Sequence, residues 1–224
     1  MSSCFRMQVF FLTNLLVCFS IYAKEEFERV SNYPLVYVCD HFLTDEECDY
    51  FVDMGRPFLK RSTVVDSNSS GELIDKRRSS LGMFISSEST DFLVKKVHRR
   101  IAKVTRIPEE NGESMQILYY GIGAEYQPHY DYFDPATLGG LGHYNRGGQR
   151  VATFIVYLNT PKKGGETIFP KTGLKIVPEK GKALLFYNVN SKGIVDPMSF
   201  HGGAPVLEGE KWIITRWLRE KPFY

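Results

Sequence analysis

The sequence predicts an α+β fold, a jelly-roll (double-stranded β-helix) core backed by N-terminal helices, and three observations carry that prediction. Past residue 114 the chain breaks into short segments rich in aromatic and β-branched residues, with turn formers between them. That spacing suits a sandwich or barrel rather than alternating βα units. Before residue 110, two stretches carry helical periodicity and helix-start signals instead. The composition, 43% hydrophobic and 24% charged over 224 residues, suits one globular domain with a sizeable core.

The first 23 residues stand apart. Arg6 precedes the apolar run VFFLTNLLVCFSIYA, which ends at Ala23 before the charged KEEFER. This is the layout of a signal peptide. The run is shorter than the roughly 20 residues that cross a bilayer comfortably. Residues 1–23 are therefore read as a cleaved signal peptide or an uncleaved signal-anchor, with residues 9–23 as the membrane segment. A buried N-terminal helix is the alternative. Either targeting reading puts the chain in the secretory pathway: the endoplasmic reticulum lumen, the ER or Golgi membrane, or outside the cell. The sequon Asn68-Ser69-Ser70, in a polar loop, suits that compartment. Cys39 and Cys48 either pair there or stay reduced and buried, and they lack zinc-site spacing.

Residues 24–224 read as a single domain, with a helical buttress at about 40–110 and a jelly-roll core at about 114–220. YPLVYVCDHFLT is a strand followed by a turn. Thr44 then caps a helix that stops at Gly55. DSNSSGELIDKRRSS is loop-like. A second helix runs from about Ser89 to Arg106, halted before Pro108, with Phe92, Val97, Ile101 and Val104 on its apolar side. Its basic face reads as solvated, and a net charge of +2 offers no broad basic surface for nucleic acid. The expected core strands lie in MQILYYGIG, EYQPHYDYF, RVATFIVYLNT, GETIFP, LKIVPEKG, KALLFYNV and KWIITRWLRE.

Within EYQPHYDYF, His129 and Asp131 are two residues apart, so on a strand both project to one face. Alone this pair is weak. His201, 70 residues on, supplies a third donor. Two imidazoles and a carboxylate make the facial triad of non-haem Fe(II) oxygenases, which leaves three coordination positions open. Zinc prefers four ligands, often thiolates, and none is offered here. Lys211 follows ten residues after His201 on an expected strand. A cation inside a β-sandwich needs an anion, and the far carboxylate of a dicarboxylate bound at the metal would supply one. The competing reading is a lysine pointing to solvent.

The chain resembles the prolyl 4-hydroxylase family of 2-oxoglutarate- and Fe(II)-dependent dioxygenases, in particular its short plant and algal members. The resemblance covers about Pro34 to Leu218. It runs through FLTDEECDYF, KRSTVVD, RRSSLGMF, RIAKVTRIP, ENGESMQILYYGIGAEYQPHYDYF, GGQRVATFIVYLNTPKKGGETIFP and HGGAPVLEGEKWIITRWL. It implies an enzyme that hydroxylates peptidyl proline at C4, using O₂ and converting 2-oxoglutarate to succinate and CO₂, with ascorbate as a further cofactor. It implies His129, Asp131 and His201 as iron ligands and Lys211 as the partner of the distal 2-oxoglutarate carboxylate. Tyr120, Thr153 and Tyr157 match family positions in the co-substrate pocket. Tyr126, Arg150 and Trp217 match positions that face the peptide in algal relatives. For these six, packing in the core is the rival reading.

SSGELIDKRRSS and DPATLGGLGHYNRGGQ are the expected closing loops. His143, inside the second, reads as a loop residue, and His41 and His98 as structural. Ala204 stands where many relatives carry cysteine, so no disulfide can use that position. The chain is too short for the extra peptide-binding domain of the animal enzymes, so a disulfide-isomerase partner is not expected. Two other functions compete: the same chemistry on another target such as lysine, and a non-catalytic jelly-roll binding module.

Overall fold

A computed structural model of the protein describes residues 26–66, 69 and 71–223; the apolar leader, and Asn68 and Ser70 of the sequon, lie outside these residues. Two strands open the described chain, β1 (Glu28–Asn32) and β2 (Leu35–Cys39), followed by helix α1 (Asp45–Gly55). Four short strands come next: β3 (Lys60–Arg61), β4 (Val64–Val65), β5 (Glu72–Leu73) and β6 (Leu81–Phe84). Helix α2 (Phe92–Thr105) precedes β7 (Gln116–Tyr120), β8 (Tyr126–His129), helix α3 (Leu138–Tyr144) and β9 (Arg150–Tyr157). Then come β10 (Lys163–Gly164), β11 (Thr167–Phe169), β12 (Leu174–Ile176) and β13 (Ala183–Tyr187). The last strands are β14 (His201–Gly203), β15 (Val206–Glu208) and β16 (Lys211–Arg219).

Two antiparallel sheets form the jelly roll. The major sheet runs β1-β2-β13-β9-β16-β7-β6-β3, and the minor sheet runs β12-β11-β14-β8. Strand periodicity explains how the major sheet serves two cores at once. Along β9, Ala152, Phe154 and Val156 face the helices, while Ile155 and Tyr157 face the minor sheet. On β16, Trp212, Ile214 and Leu218 belong to the helix side and Ile213 to the inter-sheet core. Every residue of β16 is buried, as a central strand covered on both faces requires.

Helix α1 starts at Thr44 as predicted, through a capping box with Glu47. Glu47 also pairs with Lys96 at 2.7 Å and Arg100 at 3.0 Å, tying α1 to α2. Cys48 and Phe51 of α1 pack on the major sheet, and a side chain at Gly55 would strike Ile117 at 2.7 Å. Helix α2 begins later than expected, because the Asp91 carboxylate caps it. Its buried stripe is therefore Val94, Val97 and Ile101, three and four residues apart, while Phe92 is 76% exposed. Cys39 and Cys48 are both buried and are not joined to each other.

Three further expectations change. The first half is more than a helical buttress, since β1, β2, β3 and β6 extend the major sheet. The DPATLGGLGHYNRGGQ segment contains α3, capped by Thr137. Gly139 and Gly140 let α3 seat closely, as a Cβ on either would lie 1.9 Å from the carbonyl of Asp66 or Asp134. Strand β8 ends at His129, so Asp131 lies in the bend beyond it rather than on the strand.

Candidate active site

His129 and His201 are cross-strand partners, because β8 and β14 pair antiparallel with these two residues in register. Gly202 permits the close approach of the two strands; a Cβ there would meet the Tyr126 carbonyl at 2.8 Å. The chain then bends and brings the Asp131 carboxylate to the Nε2 edge of both rings. Ligand atoms of His129, Asp131 and His201 all lie within 4.8 Å of one another, a cluster able to hold a metal ion. Nε2 of His129 stands 3.5 Å from Oδ1 of Asp131, and Nε2 of His201 stands 3.5 Å from Oδ2.

The tautomers follow from the hydrogen bonds. His129 donates through Nδ1 to the Gln127 carbonyl and His201 through Nδ1 to the Ser199 carbonyl, both at 2.9 Å. A carbonyl only accepts, so each neutral ring is left with a bare Nε2 lone pair aimed at the carboxylate. Three electron-rich donors around one point, with the rings fixed from behind, is a layout that a cation completes. Burial drives the His201 pKa down to about 4, which keeps it neutral near pH 7 as a ligand must be. Burial opposes ionisation of Asp131 too, but the positive charge that His201 and His129 carry when protonated, together with Arg150, outweighs it and holds the carboxyl far below its usual range. Asp131 Oδ2 also accepts from Thr153 at 2.7 Å, and Thr153 accepts from buried Asn188 at 3.0 Å.

A narrow inner cavity runs from this cluster to Lys211 on β16. Lys211 is 2% exposed, and among the described residues it makes no ion pair. Its Nζ lies 5.2 Å from the Tyr120 ring and 5.7 Å from the Tyr157 ring. Burial lowers its pKa to about 8, with Glu166 pulling weakly the other way. A buried ammonium group facing a cavity in this way needs an anion from outside the protein.

Outside the metal cluster a cleft of about 400 Å³ opens toward solvent. Arg150 lines it, held by Glu113 in a two-pronged pair at 2.6 and 2.8 Å. Tyr126 stacks on His129 with ring centroids 3.6 Å apart and 18° between planes. Trp217 borders both the cleft and the inner cavity.

The ten residues singled out in the sequence thus gather around one site, with one displaced by a layer. Tyr120, Thr153 and Lys211 line the inner cavity, as do Tyr126 and Trp217. Tyr157 sits behind the wall: its hydroxyl is engaged with Thr167 at 2.7 Å, and Thr167 is the residue that faces the cavity. Thr153 both lines the cavity and holds Asp131. His143 lies in the cleft wall, its ring stacked on Phe133, and does not belong to the metal cluster.

Four contributors escaped the sequence reading. Thr215 could have been found, since it is four residues past Lys211 and therefore on the same strand face. Thr167 and Asn188 gave no local signal. Arg78 comes from a polar loop, yet it is buried, donates to Gln116 at 3.0 Å and the Thr63 carbonyl at 2.8 Å, and covers the Tyr126 ring at 4.9 Å.

The sequence profile of the 2OG-Fe(II) oxygenase superfamily matches residues 115–219, which include every residue of the metal cluster and Lys211. "Probable prolyl 4-hydroxylase 7" of Arabidopsis thaliana is 43% identical over 210 residues, covering 85% of this chain and 64% of that protein. "Prolyl 4-hydroxylase 5" of the same plant is 38% identical, covering 88% of this chain and 72% of its own. In three dimensions, a viral collagen prolyl hydroxylase from Paramecium Bursaria Chlorella virus-1, solved as a 2OG complex, superposes with a TM-score of 0.64. It is 27% identical, with 82% of this chain and 95% of that one covered. The chain therefore belongs to the prolyl 4-hydroxylase family of 2OG-Fe(II) oxygenases.

Proposed function

We propose that the protein is a 2-oxoglutarate- and Fe(II)-dependent dioxygenase that hydroxylates peptidyl proline to 4-hydroxyproline. The observation that carries this reading is the meeting, in one cavity, of a two-histidine, one-carboxylate cluster with a buried lysine that has no ion pair among the described residues. His129, Asp131 and His201 would hold the iron, and Lys211 would take the far carboxylate of 2-oxoglutarate. With iron held, 2-oxoglutarate and O₂ would supply the oxidising power, one oxygen atom ending in succinate and the other in the new hydroxyl group, with CO₂ released. Ascorbate is the further cofactor expected of this family.

The chain's own residues do the positioning. The carbonyls of Gln127 and Ser199 fix the two imidazoles, and Thr153 orients Asp131. Tyr120, Thr167 and Thr215 give the inner cavity polar edges for an anionic guest. Tyr126, Arg150 and Trp217 present rings and a guanidinium group at the inner end of the cleft, suited to holding a proline against the metal. A peptide in the cleft would also cover the centre from water.

The leader at residues 1–23 supports entry into the secretory pathway, with the ER lumen, the ER or Golgi membrane, or the cell exterior as destinations. Among the described residues no helix is long and apolar enough to cross a membrane. Purified protein given Fe(II), 2-oxoglutarate, ascorbate and a proline-rich peptide should add the mass of one oxygen to proline. Succinate formed without modified proline would assign the same chemistry to another target. Neither product would make the domain a binding module.

A further inference from the structure

The Thr153 hydroxyl sits between two partners, Asp131 Oδ2 at 2.7 Å and the side-chain amide of Asn188 at 3.0 Å. A hydroxyl has one hydrogen to give. An ionised carboxylate only accepts, so that hydrogen goes to Asp131, and Asn188 must turn its NH₂ group toward Thr153. The amide oxygen of Asn188 is thereby left buried and without a donor among the described residues. Turning the amide over would give this oxygen a partner only by taking the Thr153 hydrogen from Asp131. A buried polar atom left unsatisfied costs stability and calls for a reason.

The backbone of Asn188, just past β13, is fixed as well. Its N–H donates to the Val151 carbonyl and its carbonyl accepts from the Asp196 N–H, both at 2.9 Å. The Asp196 carbonyl accepts from the Ser199 N–H at 3.0 Å and from the Ser199 hydroxyl at 2.7 Å. The Ser199 carbonyl in turn holds the His201 ring. One fully buried residue thus stands where the supports of Asp131 and His201 cross.

We propose that Asn188 is a positioning residue of the metal cluster, whose amide sets the direction of the Thr153 hydroxyl and through it the orientation of the Asp131 carboxylate. The unsatisfied amide oxygen is the cost of that order. The inference rests on the functional reading above, since the cluster must take up a metal for the role to matter. The chemistry of the side chain is specific. Asparagine offers hydrogens without a charge; an aspartate in its place would accept the Thr153 hydrogen itself, and a leucine of similar shape offers none. Held from behind by Thr153, the carboxylate keeps its two oxygens beside the Nε2 atoms of both rings.

The test titrates Co(II), an air-stable stand-in for Fe(II), into the purified ligand-free full-length chain by calorimetry. Asn188→Leu keeps the side-chain shape and removes the amide. Its Tm without metal should equal or exceed that of the wild type, because the unsatisfied oxygen goes with the amide. Its Co(II) affinity should fall about tenfold, the lower end for a group that steadies a metal ligand from outside. Asn188→Ala leaves a cavity and should lower Tm, yet its Co(II) affinity should fall by the same factor. In a Thr153→Val background no hydroxyl remains to be aimed, so adding Asn188→Leu should cost no further affinity. Wild-type affinity in Asn188→Leu, a loss that follows the drop in Tm between the two variants, or losses at Asn188 and Thr153 that simply add would each overturn the role. A wild type that takes up neither Co(II) nor Fe(II) would instead remove the functional reading, and the role with it.

Discussion

The inner cavity and the outer cleft are both walled by charged and aromatic groups, yet their electrostatics are opposite in kind. In the outer wall Glu113 lies between Arg150 and Arg219, and its carboxyl stays low because the two guanidinium groups outweigh its burial. In the inner cavity the balance is left incomplete. Two Nε2 lone pairs face a carboxylate, and Lys211 has no ion-pair partner among the described residues. A buried charge without a partner is costly. A cavity with two lone pairs and a carboxylate at one end and such a charge, Lys211, at the other is shaped for two guests: a cation at the first end and an anion at the second. The outer wall is finished by folding; the inner site is finished by binding.

This contrast can be broken most directly at the metal cluster. His201→Ala should abolish turnover and reduce Fe(II) binding measured by calorimetry while leaving the fold, read by circular dichroism, intact. Retained turnover would remove the cluster from the chemistry. Glu113→Gln attacks the finished wall instead. It leaves two buried guanidinium groups facing each other, so a loss of about 3–5 kcal/mol in denaturant-measured stability is expected. A negligible loss would show that the outer wall does not depend on its internal pairing.

Lys211→Met should raise the 2-oxoglutarate KM about tenfold to a hundredfold, the range of a lost buried ion pair, and should not reduce stability without ligand. The sign of the pH effect follows from the lowered pKa. Below about 8 the folded protein carries the full cost of the buried charge. Between about 8 and the ordinary value of 10.5 the unfolded chain holds this proton more tightly, so ligand-free stability rises with pH. Lys211→Met should flatten that rise, read from urea midpoints across the window. The 2-oxoglutarate carboxylate would draw the proton back, so its affinity should fall as pH rises through the same window. Thr153→Val is the smallest change, loosening Asp131 without removing a ligand. Fe(II) affinity should drop about tenfold, at the lower end for a residue that holds a ligand in place.

Much of this was legible in the chain because it is local or periodic. The Thr44 cap, the strand spacing after residue 114 and the alternation along β9 and β16 are one-dimensional patterns. The His129–Asp131 spacing was legible too, though for a different reason than strand alternation: β8 ends at His129, and a bend delivers Asp131. The stripe of α2 was misplaced at Phe92 because the cap sits at Asp91, two residues past Ser89, which makes Phe92 the first helical residue and leaves it exposed. Arg78, Asn188 and the Arg146–Phe223 contact lay beyond sequence reading, since each gains its place only from a partner distant along the chain.

By itself the sequence determined which residues could carry chemistry: two imidazoles, a carboxylate two residues from one of them, and a lysine. Local reading suffices for this, because residue type and short spacing are properties of the chain alone. Only the tertiary structure decided that β8 and β14 pair with their histidines in register, that Lys211 ends in the same cavity with no ion-pair partner among the described residues, and that the last residues close a stack of rings and guanidinium groups. Those outcomes depend on strand register and on the closing of long loops, and such distances are set by how the whole core packs.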